Sequence, residues 1–326
     1  MEMVKTSLNR ILSENMQDEI ITYHGTLAKF DKFNHKEFAG TGEGSARYGE
    51  GVYLTNVRDT GLHYTATICG QKYGKEIIKD YKQLMDKIAF IERFIKGKIN
   101  AIKKSKKKGI NVDYDEEQLK DIHQKNFPYW RDILLSLLKD EWFEFPEFWG
   151  NKRPFNFPSS KKLGEKLAPI FKKMNSWDEF HSWIVDLRES LVKNYQRYLL
   201  TIDIPDDGYV NWDNSDMEFI LKMRDLMQKY FDSNGSGIKL PKVRKVKNFG
   251  EMFDNFKKIG ISSKDLTKAV EFSGLFPDKP VVGFVVPTGY GRGGDGRGLN
   301  YIIFDDKNVK ILKRENLKNG EITNIN

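Results

Sequence analysis

The hydrophobic period of this chain changes twice, and any fold has to accommodate both changes. From about Asp18 to Gly70, short apolar runs such as Ile20-Ile21-Thr22-Tyr23 and Gly51-Val52-Tyr53-Leu54-Thr55 alternate with glycine and charged turns, the texture of strands and loops. From about Lys72 to Tyr195 the period is helical. Ile77, Tyr81, Leu84, Ile88, Ile91 and Ile95 recur at steps of four and three, which lays an apolar stripe along a long helix. Further helices read over 115–126, 130–139 and 177–195, with Ser176 and Glu179 in the arrangement of an N-terminal cap. Strand texture returns at 198–204 and stops at Pro205-Asp206-Asp207-Gly208. Helical pieces follow over 216–231 and 263–273. Two strands, 281–286 and 300–304, are joined by a glycine-rich segment that contains Arg292, Asp295 and Arg297.

At 326 residues and 38.0 kDa the chain is long enough for two domains of roughly 150 residues or one domain with a large insertion. The order of textures favours the second. Residues 1–70 and 196–326 read as two halves of one α+β core, split by a helical insertion over 71–195. Hydrophobic residues at 39% and aromatic residues at 13% argue against a disordered scaffold. No apolar run approaches the ~20 residues of a membrane helix, and the N-terminus has no apolar segment ahead of small residues, so neither a membrane partner nor a secretory signal is expected. The single cysteine, Cys69, offers no internal disulfide and no zinc cluster, which fits a cytoplasmic protein without a bound metal.

Two segments stand apart from a purely structural pattern. His24 ends a strand directly before Gly25 and Thr26, while Gly49-Glu50-Gly51-Val52-Tyr53 leads into another strand, with Tyr64 eleven residues after Tyr53. An imidazole can hydrogen-bond a ribose hydroxyl, a glycine backbone can bond a carboxamide, and two phenols can sandwich an aromatic ring, a combination that suits a dinucleotide such as NAD. Singly, each piece has a plainer reading: a histidine satisfied within the fold, and a glycine turn or bulge.

In this order and spacing, His24-Gly25-Thr26, Gly49-Glu50-Gly51-Val52-Tyr53 and Tyr64 resemble the ADP-ribosyltransferase superfamily of the diphtheria-toxin and poly(ADP-ribose) polymerase type. Phe30-Asp31-Lys32-Phe33, with the glycines before Tyr48, is similar to its phage and bacterial branch of polyvalent proteins and toxins, as is the stretch from Tyr198 to Trp212. Asn300-Tyr301-Ile302-Ile303-Phe304 resembles the closing strand of the superfamily. The resemblance covers about 50 residues near the N-terminus and about 110 in the C-terminal half, and none of the helical block. It implies a split β-sheet fold with NAD as substrate, bound by His24, Gly25, Thr26, Tyr53 and Tyr64, and a catalytic set of His24, Tyr53 and the residue at 300. In the family that last residue is usually a glutamate, which binds the ribose 2″-hydroxyl and stabilises the developing positive charge. Asn300 accepts a hydrogen bond but brings neither charge nor a general base. The resemblance therefore implies transfer of single ADP-ribose units, or an inert NAD-fold binding module, and not chain elongation. Asp295 is a candidate carboxylate by proximity; its plainer reading is a turn aspartate. Alternation places Asn300, Ile302 and Phe304 on one strand face, and Tyr301 and Asp305 on the other.

The 54 basic against 46 acidic side chains give +8, a balance that favours polyanionic partners where it is clustered. Lysines gather over 103–108, and Lys242, Arg244, Lys245 and Lys247 form a second group. Both also read as solvated faces, the first complementing a helix C-terminus. The aromatics from Phe127, Tyr129 and Trp130 to Phe155 and Phe157 either form the core of the insertion or stack nucleic-acid bases. Expected partners are NAD, an RNA or protein acceptor, and an antitoxin or inhibitor protein.

Overall fold

The computed structural model describes residues 20–34, 48–108, 127–139, 159–243, 246–287 and 298–325. The first textured region becomes strand β1 (Ile20–Thr26), strand β2 (Val52–Thr55) and helix α1 (Arg58–Tyr73). The helical region supplies α2 (Lys79–Lys107), α3 (Phe127–Lys139), α4 (Lys161–Phe171) and α5 (Trp177–Val192). The C-terminal half supplies β3 (Tyr198–Ile204), β4 (Tyr209–Asn211), α6 (Met217–Ser233), α7 (Phe249–Lys258), α8 (Ser263–Glu271), β5 (Gly283–Pro287), β6 (Leu299–Ile303), β7 (Lys310–Asn316) and β8 (Ile322–Asn324). The protein is of mixed α+β class.

The strands form one eight-stranded sheet in the order β4-β5-β6-β2-β1-β3-β7-β8. Only β4 and β5 run parallel; the remaining pairs are antiparallel. Strands distant in sequence thus become neighbours at the centre, where β6 pairs with β2, and β1 with β3. One face buries Val210, Phe284, Ile302 and Phe304 under α6, α7 and α8. The other buries Val52, Leu54, Leu200, Ile202, Tyr301 and Ile303 together with Phe33 from the segment after β1. This is the alternation expected along residues 300–304.

The helical block has a core of its own. Tyr81, Leu84, Ile88 and Ile91 bring the apolar stripe of α2 against Phe127, Trp130 and Leu134 of α3, and against Phe171 and Phe180 of α4 and α5. Phe127 and Trp130 are therefore core residues; Trp142 to Phe157 and the expected helix over 115–126 lie outside the described residues. The stripe does not run through one helix as expected. Gly74, at φ 119, closes α1, and Ile77 falls on a short 3-10 turn (Lys75–Ile78) ahead of α2. Ser176 caps α5 by accepting from the Glu179 amide, and the Glu179 carboxylate accepts in return from the Asn175 amide. That helix ends at Val192, short of 195.

Candidate functional site

β1 pairs with β3 along its whole length, from Ile20↔Ile204 to Thr26↔Tyr198, but with β2 only at Tyr23↔Thr55. Both strands continue past that pair without a ladder between them. His24 spans the opening: its Nδ1 lies 2.9 Å from the backbone carbonyl oxygen of Tyr53. A carbonyl only accepts, so Nδ1 carries the proton and Nε2 is an acceptor in the neutral ring. Burial pushes the His24 pKa below 6.5, against the opposing effect of the bond to Tyr53, and keeps the ring neutral. The ring packs edge-on against Phe33, with centroids 5.2 Å apart.

Gly25 has a structural reason to be glycine. A Cβ there would lie 2.3 Å from the backbone oxygen of Gly61 and 2.7 Å from Cγ2 of Thr65, because α1 crosses the strand at contact distance. Gly61 is also tight, though less so, its added Cβ falling 2.9 Å from Cδ1 of Leu199 and 3.1 Å from Cβ of Tyr23. Thr26 is spent locally, since its Oγ1 accepts from the Ala28 amide in the turn that ends β1.

Tyr53 is held at its hydroxyl end. The phenol donates to the Gly49 carbonyl at 2.8 Å and accepts from the Tyr48 amide at 3.1 Å. Gly49 adopts φ 109, a conformation that favours glycine, and the Glu50 amide donates to Oγ1 of Thr267 on α8. The Gly-x-Gly segment is thereby tied both to the tyrosine it precedes and to a helix on the far side of the sheet sequence. Burial raises the Tyr53 pKa; the Tyr48 backbone bond opposes this, and the Tyr48 and Tyr64 phenols add to it. Tyr64 lies on α1, the helix that crosses at Gly25.

The ladder fixes which side chains share this face. Thr55 pairs with Asn300, Tyr53 with Ile302, and Asn300 in turn with Val286. Tyr53 and Asn300 are thus diagonal neighbours on the face of the sheet over which α1 lies. Asn300 is 8% exposed, and its Oδ1 is buried with no hydrogen-bond partner among the described residues. The structure gathers Tyr53, Tyr64 and Asn300 on this side. His24 points to the opposite face, with Phe33, and meets the group through the Tyr53 backbone.

Three supports were not visible in the sequence. Thr267 anchors the Gly49–Gly51 loop, and Asn56 clamps β2 to β6: its Oδ1 accepts from the Leu299 amide, and its own amide donates to the Leu299 carbonyl. Arg188 on α5 donates to the carboxylate and the carbonyl of Asp59 at the start of α1. Each joins residues far apart in the chain, so no local signal announces it. Asp295, Arg292, Arg297, Arg244 and Lys245 lie outside the described residues, while Lys103, Lys106 and Lys108 are exposed at the end of α2. Among the described residues, no three His, Cys, Asp or Glu side chains converge as metal ligands, and no helix is long and apolar enough to cross a membrane. Comparison with family models, with curated proteins and with solved structures finds no match to this chain.

Proposed function

We propose that the chain is an NAD-dependent mono-ADP-ribosyltransferase, a toxin or phage-defence effector that transfers ADP-ribose to a macromolecule, with RNA the favoured acceptor. The observation that carries this reading is Oδ1 of Asn300, a buried acceptor without a protein partner among the described residues, diagonal to Tyr53. Leaving such an oxygen unpaired costs roughly 1–3 kcal/mol, and a ligand hydroxyl removes that cost. The toxin or defence role rests on the motif resemblance, and RNA on the basic excess.

In this reading Tyr53, immobilised at its hydroxyl, and Tyr64 offer ring faces to nicotinamide. Nε2 of His24 accepts from a hydroxyl of the adenosine ribose, the Gly25 backbone bonds the carboxamide, and Asn300 accepts from the 2″-hydroxyl of the nicotinamide ribose. The C1″–N bond breaks, nicotinamide leaves with the electron pair, a lone pair of the acceptor forms the new bond to C1″, and the acceptor's proton passes to solvent. The protein contributes orientation chiefly. The Asn300 dipole stabilises the oxocarbenium-like state less than a carboxylate does, which favours single transfers.

The test is incubation of the purified chain with labelled NAD and cell lysate. The reading expects label in macromolecules and its release by nuclease; release by protease instead assigns a protein acceptor. Failure of both label transfer and nicotinamide release contradicts the enzyme reading. The absence of charge on Asn300 favours one second reading, a binding module that holds NAD without cleaving it. That reading expects saturable NAD binding with no nicotinamide released.

A further inference from the structure

Among the described residues, α1 links the helical insertion to the candidate site. The inner side of that helix has no slack, since Gly61 and Gly25 bring its backbone onto β1 at contact distance. Away from β1, Ala66 and Cys69 pack against Ile78 and Val192, and a set of polar contacts from the insertion and its exit is added to this apolar seam. Arg188 of α5, with a side chain 0% exposed, donates to Asp59 Oδ1 at 2.9 Å and to Glu189. The Tyr81 hydroxyl of α2 shares a 2.8 Å hydrogen bond with Nδ1 of His63. Arg197, 1% exposed, donates to Oγ1 of Thr65 at 3.1 Å and to the Glu189 carboxylate at 3.0 Å. Tyr64 thus sits between two residues, His63 and Thr65, that are each gripped from outside α1.

Buried charges and hydrogen bonds of this kind are directional, where apolar packing permits sliding. Burial works against the Arg188 charge, and Asp59 more than offsets it, so the guanidinium remains a donor. Burial also pushes the Tyr81 phenol up to about 12, so it stays protonated across the neutral range. A helix seated on glycines and held by such bonds has one axial position and one rotation.

We propose that Tyr81 and Arg188 are positioning residues for Tyr64, so that the helical insertion sets the aromatic wall of the nucleotide site through the grip on His63 and Asp59. The inference rests on the NAD reading for its ligand, but the grip on α1 is independent of it. Tyr81→Phe keeps the ring in the insertion core and deletes only the hydroxyl. Asp59→Asn, at a partly exposed position, keeps an acceptor for Arg188 and removes the charge.

The experiment is a double-variant cycle read by NAD titration and by steady-state nicotinamide release, with thermal melting alongside. In the otherwise unchanged chain, Tyr81→Phe is expected to weaken NAD binding and raise KM about fivefold, with kcat within twofold. Asp59→Asn is expected to act in the same direction. In a Tyr64→Ala background, Tyr81→Phe is expected to change neither quantity, because the residue it positions is gone. An equal effect in both backgrounds, or a lowered melting temperature with unchanged KM, overturns the positioning role. Failure of the unaltered chain to bind NAD at all overturns the NAD reading, and this inference with it. Normal binding that is indifferent to Tyr81 and Asp59 overturns this inference alone.

Discussion

The ring of His24 is bonded to the backbone of Tyr53 across strands that do not pair there: Nδ1 donates to the Tyr53 carbonyl at 2.9 Å, one residue beyond the last β1–β2 partner, Tyr23. A side chain thus does what the ladder does elsewhere, and holds the opening at a fixed width. The same bond sets the tautomer and leaves Nε2 as acceptor.

This arrangement predicts an acid sensitivity with a definite sign. The folded pKa of His24 lies below 6.5, so the unfolded chain takes up the proton first. The stability contributed by neutral His24 is complete above about pH 6.5 and is lost as the pH falls below it. The melting temperature of the unaltered chain, minus that of His24→Gln, should therefore shrink from pH 7.5 to pH 5.5. A constant difference contradicts the half-buried, neutral ring.

Asn300→Leu separates function from stability. The substitution removes a buried acceptor without a partner and keeps much of the volume, so the protein should gain about 1 kcal/mol in denaturant unfolding. NAD binding should fall at least tenfold, through loss of the bond to the 2″-hydroxyl. A stability loss comparable to that of a core cavity would mean that Oδ1 is paired in solution.

Gly25→Ala should fail as a test of catalysis because it fails first as a fold. The new methyl meets the Gly61 backbone oxygen at 2.3 Å, and α1 must shift. We expect a cost on the order of 3 kcal/mol, visible as a lower denaturant midpoint. Wild-type stability in this variant would show that α1 does not cross β1 at contact distance.

Tyr53→Phe keeps the ring and loses both hydroxyl bonds, to Gly49 and from Tyr48. Stability should drop by about 1–2 kcal/mol, and kcat/KM should fall modestly, since the stacking face survives with a looser anchor. An effect as large as that of Tyr53→Ala would place the phenol oxygen, and not the ring, at the chemistry.

Strands β1, β2 and β3 were legible because alternation and terminating turns coincide, as at Pro205 to Gly208. The stripe through Tyr81, Leu84, Ile88 and Ile91 was legible for the same reason at helical period. β7, with Lys310, Lys313, Arg314 and Glu315, carries too many charges to read as a strand, although it pairs with β3 on one side and β8 on the other; β8 is too short to read and is itself an edge strand. α4 was obscured by Gly164 and Pro169, although Gly164 is what lets the helix approach the end of α3. The site residues were named by their motif, but their faces were not. That Tyr53 and Asn300 share a side while His24 does not depends on register across three strands, and register is a property of the assembled sheet. The Arg188–Asp59 contact spans 129 positions and leaves no trace in local pattern.

We propose that the opening between β1 and β2, walled by Tyr53 and completed by Asn300, holds NAD and cleaves it. Release of nicotinamide from NAD by the purified chain, compared with Tyr53→Ala, tests it most directly. Release by the unaltered chain and none by the variant is expected, with both retaining cooperative unfolding. Equal release by the two proteins, or none by either, would contradict it.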